Sequence, residues 1–223
     1  SRQQHSVNNT FTQWAYDVAA SVQAVYTKLL NLLSHYTYRN FTSSNLVFMG
    51  GCALNCTANT TLVNTWKDPK NIWIMPNPGD AGSSLGSILA HTQKHIAWPG
   101  PYLGYNIKGE YPVDETIKEL LSTGIVGVAS GKAEFGPRAF GNRSLLADPR
   151  NVSCKDKVNT IKRRQKFRPF APAILEEYAH ECFDSPFGSY MQYTTRCKYP
   201  EQYPAIVHAD GTSRVQTVTQ EDN

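Results

Sequence analysis

Gly131-Lys132-Ala133-Glu134-Phe135-Gly136-Pro137-Arg138-Ala139-Phe140-Gly141-Asn142-Arg143-Ser144 is the stretch on which the reading of this chain turns. Three glycines and a proline constrain a turn, and its backbone N–H groups are expected to be free. Lys132, Arg138 and Arg143 bring three cations to it, with Asn142 and Ser144 as neutral donors. The planar fork of arginine matches phosphate and carboxylate oxygens in pairs. So much positive charge on so constrained a turn points to an anion site rather than a solvated loop.

The charge extends outward from this turn. Residues 131–170 hold eleven Lys and Arg against three acids, a net +8, while the whole chain of 223 residues carries only +4. Downstream lies Lys162-Arg163-Arg164-Gln165-Lys166-Phe167-Arg168-Pro169-Phe170, and further on His208-Ala209-Asp210-Gly211-Thr212-Ser213-Arg214. Locally, such a basic segment suits a nucleic acid, a membrane surface or a small phosphate compound. With 40% hydrophobic and 11% aromatic residues, intrinsic disorder is excluded. No run approaches the ~20 apolar residues of a membrane span, and SRQQHSVNNT has no apolar signal-peptide core. Five scattered cysteines suit a reducing, cytoplasmic compartment. Cys52 and Cys56 read as buried free thiols. His91 and His95 have the spacing of a metal pair, but no Glu lies between them and Pro99 follows.

The surrounding pattern is α/β. Apolar residues from Phe11 to Leu33 recur at three- and four-residue steps, predicting one amphipathic helix over residues 11–35. A strand at 45–49 ends in Gly50-Gly51, and a helix follows over 53–66. A second strand, Ile72–Met75, stops at Pro76, and a helix spans about 81–94. Residues 97–112, rich in Pro, Gly and aromatics, mark a domain boundary. Beyond it come a helix at 113–122, strands at Ile125–Ala129 and Ala171–Leu175, and a helix at Lys155–Arg164. A hairpin is expected around Asp210-Gly211, with Ile206–His208 and Arg214–Val218 as its arms.

Two upstream turns are further candidates. Gly50-Gly51-Cys52-Ala53-Leu54-Asn55 joins a strand to a helix and allows close backbone approach to a ligand. Asn77-Pro78-Gly79-Asp80 opens the next helix, where Asp80 reads either as an N-cap or as a ligand to a hard cation.

In this order, these segments resemble the ATP-dependent O-carbamoyltransferases of nodulation-factor and antibiotic biosynthesis. The long central match is GKAEFGPRAFGNRSLLADPR with NTIKRRQKFRPFAP, supported by GGCALN, PNPGDAGSSLG and HADGTSRVQTV. The resemblance implies two parts: residues 1–100 as the end of an actin/hexokinase-like ATPase lobe, and residues 101–223 as a YrdC-like twisted α/β domain. It implies that carbamoyl phosphate and ATP, the latter with Mg²⁺, form carbamoyl-adenylate. The carbamoyl group then passes to a hydroxyl of a small molecule. By this resemblance Lys132, Arg138 and Arg143 are catalytic. Asn142, Ser144, Lys162, Arg164, Arg168, Arg214, Gly50, Gly51 and Asn55 bind nucleotide or carbamoyl phosphate, and Asp80 is a metal ligand. In the complete actin-like part a divalent metal is implied, with iron one candidate. The family's early half, with its metal-binding histidines, has no counterpart here. The chain therefore reads as an internal fragment whose partner is the rest of the same polypeptide or a companion chain.

Two other readings remain open at this level. One is an RNA- or nucleotide-binding module related to tRNA threonylcarbamoyladenosine synthesis. The other is an inactive fragment with a solvated basic face. Gly and Pro turns among the cations favour a concave pocket over a flat nucleic-acid stripe.

Overall fold

A computed structural model describes residues 13–220. The first helix is α1 (Gln13–Asn40), five residues longer at its C-terminal end than its apolar spacing predicts. Phe11, the first residue of that pattern, lies outside the described residues. After β1 (Leu46–Val47), a 3₁₀ turn at Gly51–Leu54 leads into α2 (Cys56–Trp66). Asn55 caps α2, its side chain accepting from the Ala58 N–H at 3.1 Å. Pro69 prevents continuation of the helix, and β2 (Ile72–Trp73) returns parallel to β1, pairing Leu46 with Ile72. This β–α–β unit packs on α1 through a core of Leu30, Ala53, Ala58, Leu62, Trp66, Ile72 and Ile74. Next comes α3 (Ser83–Thr92), preceded by a 3₁₀ turn at Asp80–Gly82.

The structure corrects the expected face of α1. Its packed side carries Tyr26, Leu30 and Ser34. Val18, Val22, Val25, Leu29 and Leu33, members of the apolar pattern, stay exposed. Leu29 is 60% exposed and its neighbour Leu30 only 7%. Leu30→Ala is therefore expected to cost about 2 kcal/mol, with cavity and transfer terms together. Leu29→Ala should stay within about 0.5 kcal/mol of the parent in urea unfolding. Equal losses would contradict this assignment of faces.

The second half begins with β3 (Asn106–Ile107) and α4 (Val113–Thr123). Gly124, left-handed at φ 77°, ends α4 and turns the chain into β4 (Ile125–Ala129). Then follow β5 (Gly131–Lys132), β6 (Arg143–Ala147), α5 (Ser153–Ile161), β7 (Ala173–Leu175) and α6 (Glu176–Cys182). The last elements are β8 (Thr195–Arg196), β9 (Thr212–Ser213) and β10 (Gln216–Val218).

The result is a mixed α/β architecture of helices and small sheets. Among the described residues strand pairing is divided among five two-stranded sheets: β1–β2, β3–β5, β4–β6, β7–β10 and β8–β9. β4 and β6 pair antiparallel over five positions, from Ile125↔Ala147 to Ala129↔Arg143. The decisive 131–144 stretch thus leaves one strand end and re-enters at the other. The expected hairpin at Asp210-Gly211 is corrected. The turn forms, with the His208 N–H donating to the Thr212 carbonyl at 2.8 Å. The first arm, Ile206–His208, forms no strand, and beyond the turn β9 pairs with β8 and β10 with β7. Burying Val215 with Phe183, Cys197 and Ile206 outweighs local strand pairing.

Candidate functional site

A cavity of about 480 Å³ opens beside the 131–144 loop. Arg138 enters it from the loop, Lys162 and Arg164 from the end of α5, and Arg214 from the segment before β10. Asn142, Ser144, Tyr111, Phe170 and Gln216 complete its polar and aromatic wall. Among the described residues no Asp or Glu lines it. The ion pairs among the described residues lie elsewhere: Arg150–Asp148 at 2.6 Å and Lys198–Asp184 at 4.0 Å.

Four cations without a carboxylate destabilise one another. Burial pushes the Arg138 guanidinium below its ordinary value, and nearby Arg214 adds to this while the Cys56 thiol opposes it. Lys162 is lowered by burial and then by Arg164. Arg164 is lowered by burial and then by Arg168 and Arg214. The Arg214 Nε is buried with no hydrogen-bond partner among the described residues. A buried donor without an acceptor is costly, and an anionic ligand would relieve both the unmet bond and the repulsion.

Arg164 is aimed by its surroundings. Its Nε donates to Asn159 Oδ1, and its guanidinium lies 4.8 Å over the Phe170 ring. Asn159, fully buried in α5, also donates to the Lys166 and Arg168 carbonyls at 3.1 and 2.9 Å. The basic run is thereby folded back onto its own helix.

The loop itself differs from the expectation of free amides. Glu134 Oε1 accepts from the N–H groups of Phe140 (2.8 Å), Asn142 (2.9 Å) and Arg143 (3.2 Å). The Gly141 N–H donates to Ser144 Oγ at 3.0 Å. Arg143 does not reach the cavity wall. Its guanidinium donates to four backbone carbonyls, those of Ser130, Asn142, Tyr105 and Gly131, at 2.6–3.1 Å. Lys132 is exposed in β5 and lies outside the lining, as does Arg168, which donates to Gln165 Oε1 at 2.9 Å. Of the sequence-derived site residues, Arg138, Asn142, Ser144, Lys162, Arg164 and Arg214 come together.

The upstream candidates form a separate cluster that touches the loop. The Gly50 N–H donates to the Pro78 carbonyl at 2.8 Å, joining the two turns. Gly136, at φ 143°, packs on them so closely that a Cβ there would lie 2.9 Å from the Pro76 carbonyl oxygen. Asn55 is committed to capping α2 and to Gln23, donating to its Oε1 at 2.9 Å. Asp80 is exposed, and its side chain caps neither the 3₁₀ turn it opens nor α3. Among the described residues no three His, Cys, Asp or Glu side chains cluster as a metal site, so Asp80 by itself does not fit one. His91 is in the last turn of α3, which ends at Thr92, and His95 lies beyond it. The cysteines are free thiols; Cys154 and Cys197 are buried, whereas Cys52 is exposed and Cys56 half-buried.

His208 lies beside Arg214, and its Nε2 is buried without a partner among the described residues. Burial holds its pKa below the ordinary 6.5; Arg214 and Lys155 add to this and Asp210 opposes it. The unfolded chain therefore binds the proton first as pH falls through 6.5. Stability is expected to be full above that pH and to decline as pH drops toward the folded value. His208→Asn should flatten this slope in melting temperature between neutral and mildly acidic pH.

Comparison with known proteins identifies the setting of this cavity. The family model described as carbamoyltransferase N-terminus matches residues 2–89, and that described as carbamoyltransferase C-terminus matches residues 117–223. The chain belongs to the carbamoyltransferase family. The cationic cavity lies within the C-terminal match, apart from its edge at Tyr111 and Val113. An uncharacterised protein of Synechocystis sp. is 34% identical over 98% of this chain and 44% of its own length. Nodulation protein NolO of Bradyrhizobium diazoefficiens is 34% identical over 96% and 45%. Nodulation protein U of Azorhizobium caulinodans is 36% identical over 79% and 34%. The chain thus spans less than half the length of these relatives. Among the described residues, no helix is long and apolar enough to cross a membrane.

Sequence reasoning passed over Glu134, Asn159, Tyr111 and Gln216. Glu134 carried a signal: it is the one acid in a loop otherwise cationic, and a lone carboxylate there needs donors of its own.

Proposed function

We propose that this chain carries the carbamoyl-adenylate-forming site of a cytoplasmic, ATP-dependent O-carbamoyltransferase. In this reading residues 1–100 end an actin-like lobe and residues 101–223 form a YrdC-like domain. The observation that carries it is the set of four cations, Arg138, Lys162, Arg164 and Arg214, on one cavity without a lining carboxylate. A cavity of about 480 Å³ suits a small ligand rather than a nucleic-acid duplex.

The chemistry brings two polyanions together, and their repulsion must be offset first. Water cleaves carbamoyl phosphate to carbamate and phosphate. A carbamate oxygen then attacks the α-phosphorus of ATP, and the bond to the β-phosphate bridging oxygen breaks, releasing pyrophosphate. The acceptor hydroxyl later attacks the carbamoyl carbon, loses its proton, and AMP leaves. Catalysis here is positioning plus charge stabilisation, with no side-chain nucleophile. Arg138, Lys162, Arg164 and Arg214 hold the phosphate oxygens. Asn142 and Ser144 offer neutral donors, and Phe170 a flat apolar face. Mg²⁺ carried by ATP neutralises further charge, and the acceptor is a hydroxyl-bearing small molecule. Arg143 and Asn55 enter this account as framework residues, not ligand contacts.

The test is carbamoyl-phosphate-dependent exchange of labelled pyrophosphate into ATP. Exchange that appears only when carbamoyl phosphate is present supports the reading. Exchange indifferent to carbamoyl phosphate contradicts it.

A further inference from the structure

The loop of residues 134–144 spends the backbone donors of its second half internally. Its four consecutive N–H groups at 140–143 donate to Glu134 Oε1 and Ser144 Oγ. Its carbonyls are equally engaged. Phe140 O accepts from the Tyr102 hydroxyl at 3.1 Å and from Gln216 Nε2 at 3.5 Å, and Gly141 O accepts from the Tyr111 hydroxyl at 3.3 Å. Asn142 O accepts from the Ser130 N–H at 3.1 Å and from Arg143 Nη1 at 2.7 Å. Three N–H groups converging on one oxygen is the arrangement of an anion nest, and here the anion is the chain's own carboxylate.

We infer that Glu134 is a positioning residue: its carboxylate fastens the 140–143 backbone and so aims Arg138, on the span between, into the cationic cavity. The inference rests on the reading of that cavity as an anion site. Arg138 is four residues past Glu134 and two before Phe140, the first amide it holds. The span is short enough that fixing both ends fixes what projects from the middle. Arg143 secures the other side, tying β5, β6 and the 105 segment through its four carbonyl contacts. The consequence is specific. At 140–143 the loop offers its ligand side chains rather than amides, because those four N–H groups are already used. A phosphate loop built on free backbone N–H groups would behave differently, since substitution of a nearby acid there would strengthen anion binding.

The test is calorimetric titration of carbamoyl phosphate into the wild-type chain and into Glu134→Ala, Glu134→Gln, Glu134→Asp, Arg138→Ala and the Glu134→Ala/Arg138→Ala double variant. Glu134→Ala is expected to weaken binding about tenfold or more, as loss of positioning does. Gln keeps the accepting oxygen at full reach and should restore most of the affinity. Asp keeps the charge but is one methylene short, and should restore less. The double variant should bind within about twofold of Arg138→Ala, because both changes remove the same contact. This non-additivity is what a merely structural role would not produce. If Glu134→Ala does not fold, the order Gln above Asp decides the question. Tighter binding in Glu134→Ala, losses that multiply in the double variant, or Asp equal to wild type with Gln impaired would each overturn the inference. A wild type that fails to bind carbamoyl phosphate overturns the cavity reading together with it. A wild type that binds while Glu134→Ala binds equally well overturns the positioning role alone.

Discussion

Arg138→Ala is expected to lower carbamoyl-phosphate-dependent ATP–pyrophosphate exchange by about 10²–10³-fold, with the fold intact. The size follows from what one preorganised donor to a transferring phosphoryl group contributes, about 3–4 kcal/mol of transition-state stabilisation. Arg138, like Lys162 and Arg164, keeps its charge in an environment that opposes it. Burial and Arg214 already lower its pKa, so its charge is held against a penalty that only an anion repays. Arg138→Lys is expected to recover little, since an ammonium cannot reproduce the two-pronged contact of a guanidinium. The loss should not be global, because the half-buried Arg138 belongs to neither of the two hydrophobic core clusters. Unchanged melting temperature with lost exchange is the expected pair of results. Unchanged exchange would remove Arg138 from the site.

The largest stability effect is expected at Trp66. It is 3% exposed in the first core cluster, its Nε1 donates to the buried Ser34 Oγ at 3.0 Å, and its ring stands edge-on to Tyr38 at 5.3 Å. Trp66→Ala removes the ring, the aromatic contact and the partner of Ser34 together, at a cost of about 3–5 kcal/mol. Stability of a domain is typically only about 5–15 kcal/mol, so the first half should be close to unfolding. Trp66→Phe keeps most of the apolar volume but strands the Ser34 hydroxyl. It is expected to cost about 1–2 kcal/mol, separating the hydrogen bond from the packing. Chemical unfolding of the three proteins measures both quantities. A loss under 1 kcal/mol for Trp66→Ala would show that α1 and α2 do not share a core.

Local pattern was enough for the elements that local chemistry determines. Ile125–Ala129 forms a strand over the expected span because a short run rich in β-branched residues follows the Gly124 turn. The helix at 113–123 follows from its apolar spacing and from the glycine that ends it. Arg138, Lys162 and Arg164 were legible as charge density in one basic segment, whereas Arg214, outside it, came from the turn around Asp210-Gly211 and from the resemblance. What failed depended on partners distant in sequence. The arms around Asp210-Gly211 look like a hairpin locally, but β10 finds β7 some forty residues away. On α1, the apolar spacing located the helix but not its packed face, because Leu29 and Leu30 differ only in what stands opposite them. Arg143 reads as a site cation from the turn's composition and from the resemblance. Only the folded backbone reveals four carbonyls waiting for its donors.

The central claim is that the cavity of Arg138, Lys162, Arg164 and Arg214 is a polyanion site for small phosphorylated substrates. Calorimetric titration of carbamoyl phosphate and, separately, of ATP into the wild-type chain and an Arg138→Ala/Arg214→Ala variant tests it most directly. The account predicts saturable one-to-one binding of each ligand by the wild type, weakened by added salt and lost in the variant. Equal affinity in both proteins, or no binding by the wild type, would contradict it.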